Sequence, residues 1–196
     1  MSVKKVVAAL IATVALVALS GCSASRGSTA AAVGDQVLTQ AALDQEVGAA
    51  SDLLVAFNPA FASFDVTEFV LRAEIMGRVM TDALSHQNVT ITEDMRRDFI
   101  TGTYSPSEAV HMLWSDKRTK SLIDNMANWN VGIAMRDAGM VDGTDLSAQL
   151  STVSKTVRVS PRYGEWDMTS QTIASRVVSQ TQQGALADLA AFTIPQ

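Results

Sequence analysis

Few residues in this chain could do chemistry: two histidines, one cysteine, and scattered carboxylates among nine methionines and three tryptophans. His86 and His111 are far apart, lack HxxxH spacing and have no thiol beside them, so they do not describe a zinc site. His86 falls at the end of a predicted helix, where a cation would meet the free carbonyls of the last turn; that structural role is the favoured one. His111 lies on an amphipathic segment and reads as a boundary residue. Glu93 with Asp94, and Asp142 with Asp145, could be imagined as acid–base pairs, but adjacent carboxylates near helix starts usually serve as caps. Ser20 and Ser105 have no Gly-x-Ser-x-Gly context to mark a nucleophile. With no nucleophile, phosphate loop or metal cluster, the chain is expected not to be an enzyme and to need no cofactor.

The methionines offer a different chemistry, that of adaptable apolar contact. Met76, Met80, Met112, Met126, Met135 and Met140 all fall within predicted helices. Unbranched, polarizable side chains suit surfaces that accept varied apolar partners. The plainer alternative is that they fill the core, since most lie on apolar stripes. Trp114 beside Met112, and Trp129 beside Met126, mark where an open groove would be most plausible. Met76, Met80, Met112, Trp114, Met126 and Trp129 are therefore the candidate client-binding residues.

The amino end governs where such a surface would work. Lys4 and Lys5 precede an apolar run from Val6 to Ala18, followed at once by Leu19-Ser20-Gly21-Cys22. A basic start, a short apolar run and small residues at a cut form a secretory signal. The run is shorter than the roughly 20 residues a spanning helix needs. Leu19-Ser20-Gly21-Cys22 resembles a bacterial lipobox, in which the cysteine is lipidated and becomes the first mature residue. Cys22 is the lone cysteine of the chain, so its modification would leave no thiol for a disulfide. Removing residues 1–21 leaves 175 of the 196, with 13 basic residues against 20 acidic. That acidic balance argues against nucleic acid and anionic lipid as partners, leaving the lipid on Cys22 as the membrane link at the extracytoplasmic face.

Behind the anchor the chain divides into a small polar tether (residues 22–30), a helical body (31–167) and a Ser-, Thr-, Gln- and Ala-rich tail (168–196) expected to be disordered. Ala31 to Leu38 reads as two short extended pieces around a Gly34-Asp35 turn. Thr39 caps a helix to residue 56, with Leu43, Val47, Ala50 and Leu54 on one apolar face. Asp65-Val66-Thr67-Glu68 opens the strongest helix, 66–87, apolar on two sides and so central. Thr92 caps a short helix over 93–101. Ser105-Pro106-Ser107-Glu108 opens a long helical reading over 106–138, with a kink or a solvated turn in its polar stretch 115–120. Thr144 to Ser154 forms one more short helix, and Thr156-Val157-Arg158-Val159 alternates as a half-buried strand does. The fold class expected is mainly α with a small antiparallel β element.

Ala32-Val33-Gly34-Asp35-Gln36-Val37-Leu38-Thr39, followed by Leu43-Asp44, resembles the opening of the SurA-type and PrsA-type foldases. Val157 to Asp167 resembles the segment that closes their helical N-terminal chaperone domain in actinobacterial lipoproteins of this type. The resemblance implies that residues near 156–160 pair back onto 31–38. It covers about residues 30–167, and its specific part is confined to the two ends. Members of full length also carry a parvulin prolyl-isomerase domain, for which the chain has no room, and no isomerase residue can be transferred to it. The resemblance implies a membrane-anchored holdase for unfolded or exported polypeptides; the alternative is a scaffold lipoprotein that docks one specific cell-envelope partner.

Overall fold

The computed structural model describes residues 29–104, 107–167, 169–170 and 172–174. The proposed signal segment, Cys22, and residues 175–196 of the tail lie outside the described residues.

The chain begins with a hairpin. Strand β1 (Thr29–Val33) turns at Gly34-Asp35 into β2 (Gln36–Thr39), with Val33 opposite Gln36 and Ala31 opposite Leu38. Gly34 takes the first turn position at φ +55°, the left-handed conformation that matches a two-residue loop to the twist of its strands. The other edge of β1 receives β3 (Arg158–Val159), antiparallel, with Ala31 opposite Val159 and Ala32 opposite Arg158. Two bonds extend the join: Ser160 N–H to the Ala30 carbonyl at 2.8 Å, and Gly34 N–H to Thr156 Oγ1 at 2.9 Å. The sheet order is therefore β2-β1-β3, and the first and late extended pieces meet as expected. Its middle strand carries alanines at 30–32, all buried. The tether reading ran two residues too far, because β1 begins at Thr29 and Ala30 is fully buried.

Six α-helices follow among the described residues. Thr39 caps α1 (Gln40–Phe57) by accepting from Ala42 N–H at 3.2 Å. A 3₁₀ turn (Pro59–Ser63) leads to Phe64, buried edge-on to Phe61 and tilted against Phe69. Asp65 caps α2 (Val66–Ser85) through Glu68 N–H. Twelve of its twenty residues are buried, which makes α2 the axis of the body. Thr92 starts α3 (Glu93–Tyr104), which continues three residues beyond the expected end.

The long helix read over 106–138 is in fact two. Ser107 caps α4 (Glu108–Ser115); Ser105 and Pro106, the expected start, lie outside the described residues. Asp116 is extended, with φ −92° and ψ 122°, and its carboxylate holds both the backbone N–H and the guanidinium of Arg118. A 3₁₀ turn (Lys117–Thr119) then opens α5 (Lys120–Asp137). Side chains that bond their own backbone compete with the helix ladder, which is why this polar stretch breaks rather than bends. Gly139, at φ +69°, ends α5 with Met140 N–H bonded back to the Met135 carbonyl. Asp142 caps α6 (Gly143–Ser154).

After β3 comes a second hairpin, β4 (Glu165–Asp167) with β5 (Thr172–Ala174), Trp166 facing Ile173. Ile173 is buried, so residues 172–174 of the supposed disordered tail belong to the ordered body. No described helix is long and apolar enough to cross a membrane.

Candidate functional site

The six candidate client-binding residues do not share one surface. Met80 is fully buried, and a Cβ on Gly132 of α5 would lie 2.3 Å from its sulfur. It fills the core between α2 and α5, which removes it from any binding wall. Met112 and Met126 are half-buried. Trp114 opens on a cavity of about 240 Å³ between α3, α4 and α5 whose other walls are mostly charged. There Arg97 pairs with Asp94 at 2.8 Å, Lys120 with Asp124 at 2.7 Å, and Arg96 approaches Asp124 at 3.8 Å. That is a paired polar cleft rather than an apolar cradle.

Met76 and Trp129 do meet. With Val79, Ser147, Leu150, Ser154 and Trp166 they line a cavity of about 190 Å³ framed by α2, α5, α6 and β4. An apolar cavity of about 150 Å³ is enough to take benzene, so this one admits an aromatic or branched aliphatic side chain. The indole Nε1 of Trp166 is buried with no hydrogen-bond partner. An unpaired buried donor carries a desolvation cost of roughly 1–3 kcal/mol. Trp166 and Leu150 were not foreseen from sequence, because the hairpin that delivers Trp166 depends on β5.

One further cluster was also missed. Glu46 of α1 and Glu74 of α2 are both buried, Glu74 completely. Glu74 Oε1 accepts from Ser121 Oγ at 2.6 Å and Asn125 Nδ2 at 2.8 Å; Oε2 accepts from Arg78 Nε at 3.1 Å and Nη2 at 2.6 Å. Glu46 Oε1 accepts from the Leu122 N–H at 2.7 Å, next along the chain from the Ser121 that serves Glu74. Burial first, then the charge of Glu74, pushes the Glu46 carboxyl up to about 7. Paired carboxyls are the stuff of acid–base catalysis. Yet the space beside Glu74, under Ala31, Val33 and Arg78, is too tight to admit a water molecule. The pair is a structural joint of three helices, inaccessible to substrate.

His86 is exposed at the end of α2, and His111 is exposed with its ring 5.8 Å from that of Trp114. Among the described residues no group of three or more His, Cys, Asp or Glu side chains could hold a metal ion. Asp142 caps α6, while Glu93 and Asp94 occupy the first turn of α3. Comparison of the chain with protein-family models, with curated proteins and with solved structures finds no match.

Proposed function

We propose that this chain is an exported lipoprotein, anchored at the extracytoplasmic face of the membrane through Cys22, that holds apolar segments of unfolded or newly exported polypeptides. It acts by reversible burial of client side chains and not by catalysis, and it needs no cofactor. The observation that carries this reading is the apolar cavity of about 190 Å³ walled by Met76, Val79, Trp129, Leu150 and Trp166. Two features support it: the Leu19-Ser20-Gly21-Cys22 arrangement behind an apolar run, and the β1–β3 pairing that kinship with SurA-type and PrsA-type chaperone domains calls for.

Aggregation of a chemically unfolded client, followed by light scattering, tests the proposal. The full chain in detergent should slow aggregation at stoichiometric concentration. Leu150→Asp places a charge on the cavity wall and should raise the concentration needed for half-protection by about tenfold, the equivalent of roughly 1.4 kcal/mol of client binding. Ala148→Asp, on the exposed side of α6, should leave protection unchanged. Protection absent across several clients, with one envelope protein captured stoichiometrically instead, would replace the holdase reading with a dedicated scaffold.

A further inference from the structure

The first turn of α5 is capped from another helix. Thr119 occupies the N-cap position but makes no side-chain cap bond; its hydroxyl donates to the carbonyl of Leu113. Glu46 of α1 supplies the missing acceptor, taking the N–H of Leu122, the third residue of α5. Glu74 meets the same turn through Ser121, the residue before Leu122, so the two buried carboxyl groups converge on one end of α5. Two adjoining carboxyl groups can bond to each other only when one of them carries a proton. Glu74 has Arg78, Ser121 and Asn125 as donors, so its ionised form is the better satisfied. Glu46 has one backbone donor and is the natural proton holder.

We propose that Glu46 is a proton-operated latch: protonated, it joins α1 to the Glu74 carboxylate and to the open first turn of α5, and deprotonated, it repels α1 from that joint. The charged groups acting on it are Glu74 and Arg78 of α2, one anion and one cation. The first turn of α5 offers Ser121 and a backbone N–H; its one charged residue, Lys120, is exposed and paired with Asp124 at 2.7 Å, and β1 contributes only small and apolar side chains there. Lys117 and Arg118 of the 3₁₀ turn, and Glu108 and His111 of α4, are exposed. Arg118 is occupied by Asp116. A second negative charge at Glu46 would therefore share a single half-buried guanidinium with Glu74. Helices α2 and α5 also wall the apolar cavity, so latch and cavity share a frame.

The pH range follows from the position of Glu46, whose carboxyl moves from an ordinary 4.5 up to about 7 on folding. A folded-state value raised in this way means that the folded chain holds a proton the unfolded chain has released. The stabilisation is fully present below about pH 4.5 and is lost as pH rises to about 7, beyond which it is flat. Glu46→Gln keeps an oxygen for the Leu122 N–H, offers an N–H to Glu74 and cannot ionise. Urea unfolding of the full chain in detergent should show the wild-type unfolding constant rising relative to the variant's, by up to tenfold per pH unit across that window. In the wild type, the side-chain carboxyl resonance of Glu46 and the amide resonance of Leu122 should titrate together with a midpoint near 7. Parallel pH curves for the two proteins, or a Glu46 midpoint near 4.5, would overturn the latch. Should the variant not fold, the wild-type titration decides alone.

Discussion

Glu74→Ala should be the most damaging single substitution in the body of this protein, costing about 3–5 kcal/mol, the range for removing one partner of a buried ion pair. The size of the effect comes from what the substitution strands. Arg78, Ser121 and Asn125 lose their acceptor at a position where the Glu74 side chain is fully buried. For a body of this size the melting temperature should fall by roughly 10 °C. Thermal and urea unfolding followed by far-ultraviolet circular dichroism would measure it. A cost below about 1 kcal/mol would mean that the joint is solvated and that the contacts described around Glu74 are not maintained.

The second large effect is expected at the crossing of α2 and α5, the most extensive helix contact in the molecule. A Cβ built on Gly77 would lie 2.4 Å from Cβ of Asn125 and 2.5 Å from its Cα and carbonyl oxygen. These are mostly backbone atoms, so no rotamer change relieves the clash and the helices must separate. Overpacking of this kind costs about 1–3 kcal/mol, sometimes more. It also moves Asn125 away from Glu74. Alanine is otherwise the better helix former by about 1 kcal/mol, so Gly77→Ala should lose up to about 2 kcal/mol net. Gly48→Ala provides the opposite sign. Gly48 is exposed inside α1 and its added methyl would meet nothing within 4 Å, so that substitution should stabilise by about 0.5–1 kcal/mol. If both glycines respond alike, the close approach of α2 and α5 is not present in solution.

How much of this could be read from the sequence depends on how far each feature reaches along the chain. The caps at Thr39, Asp65 and Thr92 are local: a side-chain oxygen and an amide three residues later. The two short extended pieces were legible too, from the Gly34 turn and the alternation at Thr156–Val159, but their pairing was expected only from the resemblance to SurA-type and PrsA-type domains and not from either pattern. The joint was not legible. Glu46 falls beside the apolar stripe that was drawn through Val47, yet Glu46 is buried and Val47 is only half-buried. The cue was a carboxylate between Leu43 and Ala50 on one helical face. Its meaning depends on Glu74 and Leu122, which no local pattern connects to it. Met80 shows the same limit from the other side, since whether a methionine fills the core or lines a groove was decided by Gly132, on another helix. Ile173 was lost in a polar tail because a three-residue strand has too few positions to show a period.

The break at Asp116 matters for function as well as fold. A continuous helix over 106–138 would have put Trp114 and Trp129, the two places where a groove was expected, on one rod. With the chain turning at Asp116, Trp114 faces the charged cleft beside Arg96 and Asp124, while Trp129 faces Met76 and Trp166. The proposed client surface is accordingly smaller than the sequence suggested, and it draws one wall from the closing hairpin.

Contact within the cavity can be measured directly from its α6 wall. A photoreactive residue at position 150, in the full chain held in detergent, should form covalent adducts with several unrelated unfolded polypeptides. The same probe at position 148, on the exposed face of α6, should form few. Folded forms of the same polypeptides should compete poorly. Equal labelling from the two positions, or adducts with no unfolded chain at all, would contradict client binding in the cavity of Met76, Trp129 and Trp166.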